Sequence, residues 1–405
     1  MLYLRWLETS RRFGDRPAIF EGDHVITFSE LLSAANNRPK ATSPVVARSG
    51  SIDFFVEILR AWRDDQAVIP VERDAPEPVL QRPPVEGTRL VKYTPGASGI
   101  PRGIFLNDSQ LIADADRIVS AMSLAPDVPN LGVISLAHSY GFSNIVLPLL
   151  LHGVPVHLAP VPFPRVIEEI FRKHAAIVVS AVPSMWRAWH RGGILTGAPI
   201  QLALSAGAPL SLALENDVFA ASGLKIHNFY GASECGAISW DATSEPRSSA
   251  DDVGTPLPGV EISVTPGCRI VVKSESIACG YDAPRSDDRL GDGEYHTRDL
   301  GFLDEAGRLH LTGTLGGAIN VAGRKVSPSK VEAAILSTGL VQRVLVFGVA
   351  SSDPERFEEI SADVELIPGA SLDALKQSAT NVLQNWELPR HWKCLSGITA
   401  KSKSL

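Results

Sequence analysis

The chain has 405 residues, enough for two or three domains of ordinary size with a substantial hydrophobic core. Its 38 lysines and arginines against 45 acidic residues give a net charge of −7, which provides no basic excess to attract a nucleic-acid backbone. The 4 cysteines form no C-x-x-C pair, and the 10 histidines include no H-E-x-x-H motif. These properties exclude a small disulfide or zinc scaffold and argue against nucleic acid as a partner.

The apolar stretches of the chain are short and interrupted. Charge appears at Arg5 and Glu8, before any long apolar run forms, and the most apolar segment, 145–151, contains Pro148. Because a membrane-spanning helix needs about 20 apolar residues, we expect no membrane span and no signal peptide. A cytoplasmic location is therefore expected, in agreement with the scattered cysteines.

Apolar runs separated by turn residues predict the secondary structure in chain order. Before residue 90 they predict a hairpin over 18–28, a helix capped by Ser29, a helix over 52–63, a strand over 67–71 and an irregular proline-rich spacer over 74–84. Between 90 and 313 apolar strands then alternate with helices over 131–136, 143–151, 154–158, 164–174, 177–180, 202–205, 210–221 and 224–229. Such alternation is typical of a parallel sheet covered by helices on both faces.

The C-terminal part of the chain has a different pattern. Short runs with turns predict an antiparallel β section over 260–264, 269–273, 302–304 and 308–312. A smaller α+β unit follows, with elements predicted at 325–326, 329–337, 341–349, 360–366 and 372–385. We therefore predict an α/β fold. A large N-terminal domain, residues 1–315, contains parallel sheets covered by helices plus a small β section, and a small α+β C-terminal domain, residues 316–405, follows.

The segment 93–103 is rich in glycine, follows a strand predicted over 90–93 and precedes a helix predicted to begin near Asp108. Its candidate anion-binding residues are Thr94, Gly96, Ser98, Gly99 and Arg102. Glycine lets backbone N–H groups approach an anion, hydroxyls add donors, and arginine supplies a permanent planar cation. The segment lacks both the Walker ending and the G-x-G-x-x-G spacing, and a tight surface turn is the alternative interpretation.

Five segments occur in a fixed order along the chain. They are 93–103, 205–209, 230–234, 295–299 and 319–328. In this order and spacing the chain resembles a shortened and partly divergent member of the AMP-forming adenylating enzyme superfamily. That superfamily includes acyl-CoA synthetases, luciferases and peptide-synthetase adenylation domains.

The resemblance implies a ligase that activates a carboxylic acid with ATP and Mg²⁺ as an acyl-adenylate. The acyl group would then pass to a thiol, either that of CoA or that of a carrier protein's phosphopantetheine. Negative charge builds on phosphate oxygens in the first step, so such a protein needs cations and fixed dipoles rather than a nucleophile of its own. The expected partners are a small carboxylic acid and, as the alternative to CoA, an acyl carrier protein.

The resemblance also assigns site residues. It gives phosphate contacts to Arg102 and the loop residues named above, a magnesium site to Glu234 and Thr94, and other nucleotide contacts to Gly207, Ala208, Pro209, Tyr230, Gly231, Ser233 and Asp299. A carboxylate suits Mg²⁺ because its oxygens are hard ligands, and the two oxygens of Asp299 suit two ribose hydroxyls. Taken singly, Glu234 is better explained as a solvated loop acid and Asp299 as a turn residue before Gly301, whereas the ordered set of motifs favours the functional assignment.

The segment 138–147 resembles the part of these enzymes that borders the substrate acid. His138 is the candidate for gating the carboxylate, and the candidate pocket residues are Tyr140, Phe142 and Phe229; a lone histidine after a strand is otherwise an ordinary half-buried residue. Amino-acid-activating relatives carry an aspartate in this region, whereas this segment contains no acid. We therefore expect a plain acid, aryl or medium-chain, in an apolar pocket.

The C-terminal tail resembles the T-G-K ending of the superfamily, with Ala400 in place of the glycine. Lys401 is the expected catalytic cation and Lys403 the alternative, while an ordinary frayed tail is the competing interpretation. The sequence departs from the superfamily pattern at Thr314, where an arginine is usual, and in the shortened region 71–93. A catalytically silent pseudo-ligase that binds a nucleotide or acyl ligand is therefore the alternative function.

Overall fold

The structure is a computed structural model that describes residues 1–94, 101–285, 288–315, 319–321, 324–351 and 358–395. Its helices are α1 Leu2–Phe13, α2 Phe28–Asn36, α3 Ile52–Arg63, α4 Asp108–Ala121, α5 Ser139–Gly141, α6 Leu147–His152, α7 Pro164–Phe171, α8 Pro183–Arg191, α9 Leu212–Ser222, α10 Pro328–Leu336 and α11 Leu372–Val382, with a π-helical turn, Phe142–Val146, between α5 and α6. Among the described residues, no helix is both long and apolar enough to cross a bilayer.

The strands are short and numerous. They are β1 Pro17–Glu21, β2 His24–Thr27, β3 Val45–Arg48, β4 Val68–Val71, β5 Thr88–Thr94, β6 Arg102–Asn107, β7 Asn130–Gly132, β8 Val156–Leu158, β9 Ile177–Ala181, β10 Ile200–Ser205, β11 Ile226–Ala232, β12 Gly236–Trp240, β13 Thr255–Pro256, β14 Glu261–Val264, β15 Arg269–Lys273, β16 Gly280–Tyr281, β17 Leu290–Gly291, β18 Glu294–Leu303, β19 Leu309–Thr314, β20 Ile319–Val321, β21 Arg324–Val326, β22 Val341–Ala350, β23 Glu358–Leu366 and β24 His391–Cys394.

The largest sheet has nine strands in the order β13-β12-β11-β10-β9-β7-β8-β1-β2. From β11 through β10, β9, β7 and β8 to β1 the neighbours run parallel, and antiparallel pairs close both ends. Helices α7, α8 and α9 share one buried apolar cluster with β9, β10 and β11. The predicted α/β fold, with a parallel sheet covered by helices, is therefore confirmed.

A second sheet has the order β16-β6-β5-β4-β3. Strands β3, β4 and β5 run parallel, whereas β6 returns antiparallel to β5. Residues of α1, α2, α3 and α6 form a single apolar core with residues of β1 and β8 from the first sheet and of β4 and β6 from the second. These helices therefore tie the two sheets together through shared burial of apolar surface.

The helix that follows the N-terminal hairpin starts two residues earlier than predicted. It begins at Phe28, and its cap is Thr27 rather than Ser29. The Glu30 backbone N–H donates to Thr27 Oγ1 at 3.2 Å, while the Glu30 carboxylate accepts from the Thr27 backbone N–H at 2.8 Å. This reciprocal capping box satisfies two backbone donors at once, which Ser29 could not do. By contrast, the helix predicted over 52–63 is found with the same bounds.

The chain divides into two compact units. Unit one comprises 1–263, 271–297 and 303–310, and unit two comprises 264–270, 298–302 and 311–405. Unit two contains the sheet β22-β23-β24 and the hairpin β20–β21, with helices α10 and α11 contributing to its apolar core. The predicted domain boundary between residues 315 and 316 stays a prediction.

A buried ionic network lies at the edge of unit one. Glu215, fully buried on α9, accepts a hydrogen bond from Lys225 and another from Arg247 Nε at 2.8 Å. Lys225 also pairs with Asp241 at 2.7 Å, and Arg308 Nη2 lies 2.8 Å from the same carboxylate. Burial opposes the ionisation of Asp241, but its contacts with Lys225 and Arg308 outweigh burial and lower its pKa to about 2. Each buried charge in the network is therefore compensated by its oppositely charged partners.

Replacing Glu215 by glutamine should lower the free energy of unfolding by about 3 to 5 kcal/mol, because Lys225 and Arg247 would lose a buried counter-charge. Urea denaturation followed by circular dichroism measures the change. Glu169→Gln is the matched control, since Glu169 forms an exposed pair with Arg165 and should leave stability nearly unchanged. Equal stability of the two variants would contradict the role given to the network.

Two histidines in unit one contact each other through their rings. His157 Nδ1 lies 2.7 Å from His174 Nε2, and Phe20 stacks on the His157 ring with centroids 5.6 Å apart. Burial, followed by repulsion from His174 and Lys173, lowers the pKa of His157 to about 4, and burial also lowers the pKa of His174. Both rings are therefore neutral in the folded protein at neutral pH, with one donating to the other.

This pair should make the protein less stable as the pH falls from about 6.5 towards 4. In that window an unfolded histidine takes up a proton that the folded pair resists, so the unfolded state gains stability. The loss of unfolding free energy between pH 7.5 and pH 4.5 should be about 2 kcal/mol larger in the wild type than in His157→Gln. Exposed His24, changed to glutamine, is the control. Identical pH profiles for wild type and His157→Gln would contradict the prediction.

Candidate active site

Strands β5 and β6 flank the glycine-rich segment and pair with each other. Thr94, the last residue of β5, is paired with Arg102, the first residue of β6. Strand β6 then leads directly into α4, which Asn107 caps through a reciprocal pair of hydrogen bonds with Gln110, at 2.9 and 3.1 Å. The sequence predicted the helix near Asp108 but not the strand before it. Gly96, Ser98 and Gly99 lie outside the described residues.

Arg102 is a buried cation held on two sides. One of its terminal nitrogens pairs with Asp288, and its guanidinium carbon lies 3.6 Å from the centroid of the Tyr281 ring. Its Nε is buried and has no hydrogen-bond partner among the described residues. The guanidinium is therefore a fixed positive charge, held in place by Asp288 and Tyr281.

Glu234 occupies the turn between β11 and β12. Its Oε1 accepts a hydrogen bond of 2.9 Å from the Tyr281 hydroxyl. Burial raises the pKa of Glu234, against the opposing effects of hydrogen bonds from Tyr281 and Tyr295 and of the Arg102 charge. The Glu234 side chain is partly buried and hydrogen-bonded to Tyr281, so it is not the freely solvated loop acid of the alternative interpretation. Tyr281 thus brings the hairpin cation and the turn carboxylate to one place.

The donor set at Glu234 fits a magnesium ion. Among the described residues, no three histidine, cysteine or acidic side chains form a group that could hold a metal by themselves. Mg²⁺ is typically bound by one or two carboxylates together with substrate phosphates and water, so a single carboxylate suffices. Thr94, the other predicted ligand, lies at the end of β5 opposite Arg102.

Two buried charged residues that the sequence did not single out, Asp114 and Lys92, lie near the Glu234 turn. Asp114 on α4 accepts a hydrogen bond of 2.9 Å from the Ala237 backbone N–H. Lys92 on β5 is 1% exposed, and its ammonium donates to Ser143 Oγ at 3.4 Å. Burial lowers the pKa of Lys92, while the charges of Asp114 and Glu234 oppose this effect. A single acid in a helix and a single lysine in a strand carry no sequence pattern that would have revealed them.

Gly236 lets the turn approach Asp114. Its φ is +69°, and a Cβ built there would meet Asp114 Oδ1 at 2.2 Å. Gly223 has the same φ of +69°, but a Cβ built there would have nothing within 4 Å. Substitution of Gly223 therefore measures the backbone strain alone, without a close contact.

Gly223→Ala should therefore cost about 1 kcal/mol, the strain of a left-handed backbone for a residue with a Cβ. Gly236→Ala should cost about 2 kcal/mol more, because the new methyl must displace a buried carboxylate. Urea denaturation of both variants measures the difference. Equal losses would show that Asp114 does not constrain the turn.

The segment predicted to border the acid meets the Glu234 turn directly. Ser139 Oγ donates to Ser233 Oγ at 2.7 Å. His138 precedes this contact with its side chain 66% exposed and its Nε2 3.7 Å from Glu72 Oε1, so it is not the ordinary half-buried histidine of the alternative interpretation.

The three aromatic residues assigned to the acid pocket are placed differently from one another. Tyr140 stacks on Phe229 with ring centroids 5.7 Å apart. Phe142 is fully buried, and its ring centroid lies 5.9 Å from the ammonium of Lys92. Phe142 therefore packs in the core beside a cation, whereas the Tyr140 ring is partly exposed.

Six of the residues assigned to the nucleotide by resemblance lie at one sheet edge in unit one. Gly207, Ala208 and Pro209 follow the carboxyl end of β10, and 230–233 closes β11, which runs parallel beside β10 with Ser205 opposite Asn228. Carboxyl ends of adjacent parallel strands form the usual ligand-binding crevice of α/β sheets. Tyr230 is partly exposed and Gly231 exposed at this edge.

Two further sets of assigned residues lie elsewhere. Asp299 belongs to unit two, where its Oδ1 accepts a hydrogen bond of 2.9 Å from the Thr314 hydroxyl. Thr314, which stands where the superfamily has an arginine, therefore contacts the assigned ribose-binding carboxylate. Lys401 and Lys403 lie outside the described residues.

The sequence profile of the AMP-binding enzyme family matches residues 55–272, more than half of the chain. This stretch contains the β5–β6 hairpin, the sheet edge of β10 and β11, and Glu234. The chain belongs to the AMP-binding enzyme family, and the predicted resemblance is confirmed.

Curated relatives carry ligase names. A Bacillus subtilis (strain 168) protein named long-chain-fatty-acid–CoA ligase is 23% identical over 76% of this chain and 59% of its own length. A Mycobacterium tuberculosis (strain H37Rv) protein named probable 2-succinylbenzoate–CoA ligase is 28% identical over 74% and 78%. A Bacillus anthracis protein named 3,4-dihydroxybenzoate–[aryl-carrier protein] ligase is 28% identical over 65% and 59%. The chain thus spans about three fifths of the length of two of these relatives.

Solved structures share the fold over almost the whole chain. ATP-bound MatB from Rhodopseudomonas palustris aligns with a TM-score of 0.67 at 18% identity, covering 97% of this chain and 94% of that chain. The o-succinylbenzoate CoA synthetase of Bacillus subtilis, in complex with its acyl-adenylate intermediate, aligns with a TM-score of 0.69 at 17% identity, covering 96% and 94%. At these identities the likeness establishes the fold.

Proposed function

We propose that this protein is an AMP-forming ligase that activates a carboxylic acid with ATP and passes the acyl group to a thiol. The carboxylate attacks the α-phosphorus of ATP, forming acyl-adenylate and releasing pyrophosphate. The thiol sulfur then attacks the acyl carbon, forming a thioester and releasing AMP. The observation that carries the proposal is the convergence of Arg102 and Glu234 on Tyr281, beside a segment that contacts the same turn through Ser139.

The charges at this site match what the first step requires. Negative charge grows on the phosphate oxygens as pyrophosphate leaves, and fixed cations and dipoles stabilise it without a protein nucleophile. Arg102, held by Asp288 and Tyr281, supplies a fixed positive charge for the phosphates. Glu234 would hold Mg²⁺, which neutralises charge on the phosphates when bound.

The remaining assignments are part of the same proposal. The loop residues Thr94, Gly96, Ser98 and Gly99 bind phosphate, and Gly207, Ala208, Pro209, Tyr230, Gly231 and Ser233 border the nucleotide. Asp299 binds the ribose, and His138 gates the carboxylate. Lys401, or Lys403, is the cation that residues 316–405 bring to the adenylation step. CoA and a carrier-protein phosphopantetheine are the two acceptors, each matched by the name of a relative.

A pseudo-ligase is the second candidate function, and one contact favours it. The Thr314 hydroxyl occupies Asp299 Oδ1, so a ribose would have to displace this neutral donor, and the arginine cation usual at this place is missing. Such a protein would bind ATP without releasing pyrophosphate.

Acid-dependent exchange of labelled pyrophosphate into ATP, measured across a panel of acids, tests the proposed function. The wild type should exchange label, and Glu234→Gln should lower kcat/KM by about 100- to 1,000-fold and raise the Mg²⁺ concentration needed, because the metal would lose its carboxylate. Glu245→Gln, an exposed acid in a loop after β12, is the control and should behave as the wild type. Silence of the folded wild type across the panel, together with ATP binding by calorimetry, would establish the pseudo-ligase instead.

A further inference from the structure

The proline-rich segment 74–84 lies against the second sheet, although it forms neither a helix nor a strand. Its Ala75 and Leu80 side chains pack on a buried apolar cluster that contains Phe105 of β6. Proline fixes φ and stiffens the backbone, so apolar contacts along such a segment can hold its far end in place. The segment is therefore part of the packed structure of unit one rather than a loose connection.

The far end of this segment contacts the strand that carries Tyr281. Arg82 Nη2 donates to the Tyr281 backbone carbonyl at 2.5 Å, and the Arg82 guanidinium carbon lies 5.5 Å from the centroid of the Phe105 ring. The Gln81 backbone N–H donates to Asp282 Oδ2 at 3.4 Å. Arg82 is thus placed by a ring on β6 while its guanidinium holds the backbone of Tyr281.

Strand β16 gives Tyr281 little support by itself. It is two residues long, lies at the edge of the second sheet and pairs with β6, with Tyr281 opposite Ile104. A short edge strand has few ladder hydrogen bonds and leaves part of its backbone unpaired. Arg82 donates to this backbone from outside the sheet, so it helps to fix the point from which the Tyr281 side chain extends.

We propose that Arg82 is the positioning residue for Tyr281 and, through Tyr281, for the Arg102 guanidinium and the Glu234 carboxylate. The hydroxyl and the ring of Tyr281 reach these two charges from one backbone position, so a displacement of that backbone moves both contacts together. The proposal rests on the proposed function. It gives the shortened region 71–93, which counted as a departure from the superfamily pattern, a part in the site.

A matched contact that does not involve Tyr281 lies at the other end of the same segment. Arg73, directly before it, donates from Nη2 to the Gly50 backbone carbonyl at 2.9 Å. Arg73 and Arg82 are both exposed, and both donate to a backbone oxygen. Arg73→Ala therefore controls for the general loss of an arginine contact on this segment.

Fluorine NMR of the full chain labelled with 3-fluorotyrosine tests the position of Tyr281 without any turnover. The chain has 6 tyrosines, and the resonance that disappears in Tyr281→Phe identifies Tyr281. In Arg82→Ala this resonance should shift or broaden, because the backbone loses its guanidinium donor, while the other tyrosine resonances should stay in place. In Arg73→Ala the Tyr281 resonance should keep its wild-type position.

Calorimetry with ATP and Mg²⁺ measures the consequence for the site. Arg82→Ala should weaken ATP binding about 10-fold, near the lower end for a hydrogen bond with a charged partner because Arg82 is exposed. Arg82→Lys keeps a cationic donor without the planar guanidinium, so its affinity should return to within about threefold of the wild type. Arg73→Ala should bind ATP as the wild type does.

Each outcome decides the proposal. An unchanged Tyr281 resonance or wild-type ATP affinity in folded Arg82→Ala would overturn it, and so would an equal change in Arg73→Ala. If Arg82→Ala does not fold, Arg82→Met, which keeps the length of the side chain and removes its donors, takes its place. Failure of the wild type to bind ATP or to exchange pyrophosphate would refute the proposed function, and the NMR comparison would then decide by itself whether Arg82 positions Tyr281.

Discussion

The two-sided contact of Tyr281 is the interaction on which the site depends. Its hydroxyl donates to Glu234, and its ring lies 3.6 Å from the Arg102 guanidinium carbon. One aromatic side chain thus separates an acid and a base that come from distant parts of the chain. If the two paired directly, each would satisfy the other, and less charge would remain for a phosphate or a metal ion. Instead, Arg102 pairs with Asp288, and Glu234 has a raised pKa.

Two buried charged side chains, Asp114 and Lys92, lie near the Glu234 turn, and Asp114 holds the backbone that follows it. Asp114 accepts from the Ala237 backbone N–H, and the missing side chain of Gly236 makes the approach possible. Lys92 is enclosed in the same region with a neutral oxygen, that of Ser143, within hydrogen-bond distance. Buried charges are costly unless they are compensated, and the Asp114 carboxylate is compensated in part by the Ala237 backbone N–H, which it holds just after the Glu234 turn.

The sequence predicted those features that a repeating pattern encodes. The helix over 52–63 was predicted at both ends because an apolar face repeats along it and a turn precedes it. Features set by single residues were not predicted. Thr27 rather than Ser29 caps α2. Strand β6 was missed because the glycine loop was interpreted as leading directly from a strand into a helix. The contacts of Tyr281 bring together residues far apart in the chain, which no local pattern specifies.

The order of strands in the largest sheet limits when the sheet can form during synthesis of the chain. β1, near the start of the chain, pairs along its length with β8, so that Ile19 lies opposite Val156. During synthesis one edge of the β1–β2 hairpin therefore stays unpaired until β8, more than a hundred residues later in the chain, has left the ribosome. Exposed strand edges attract other chains, and contacts between distant residues form slowly. A nascent chain of this protein should therefore depend on chaperones most during that interval.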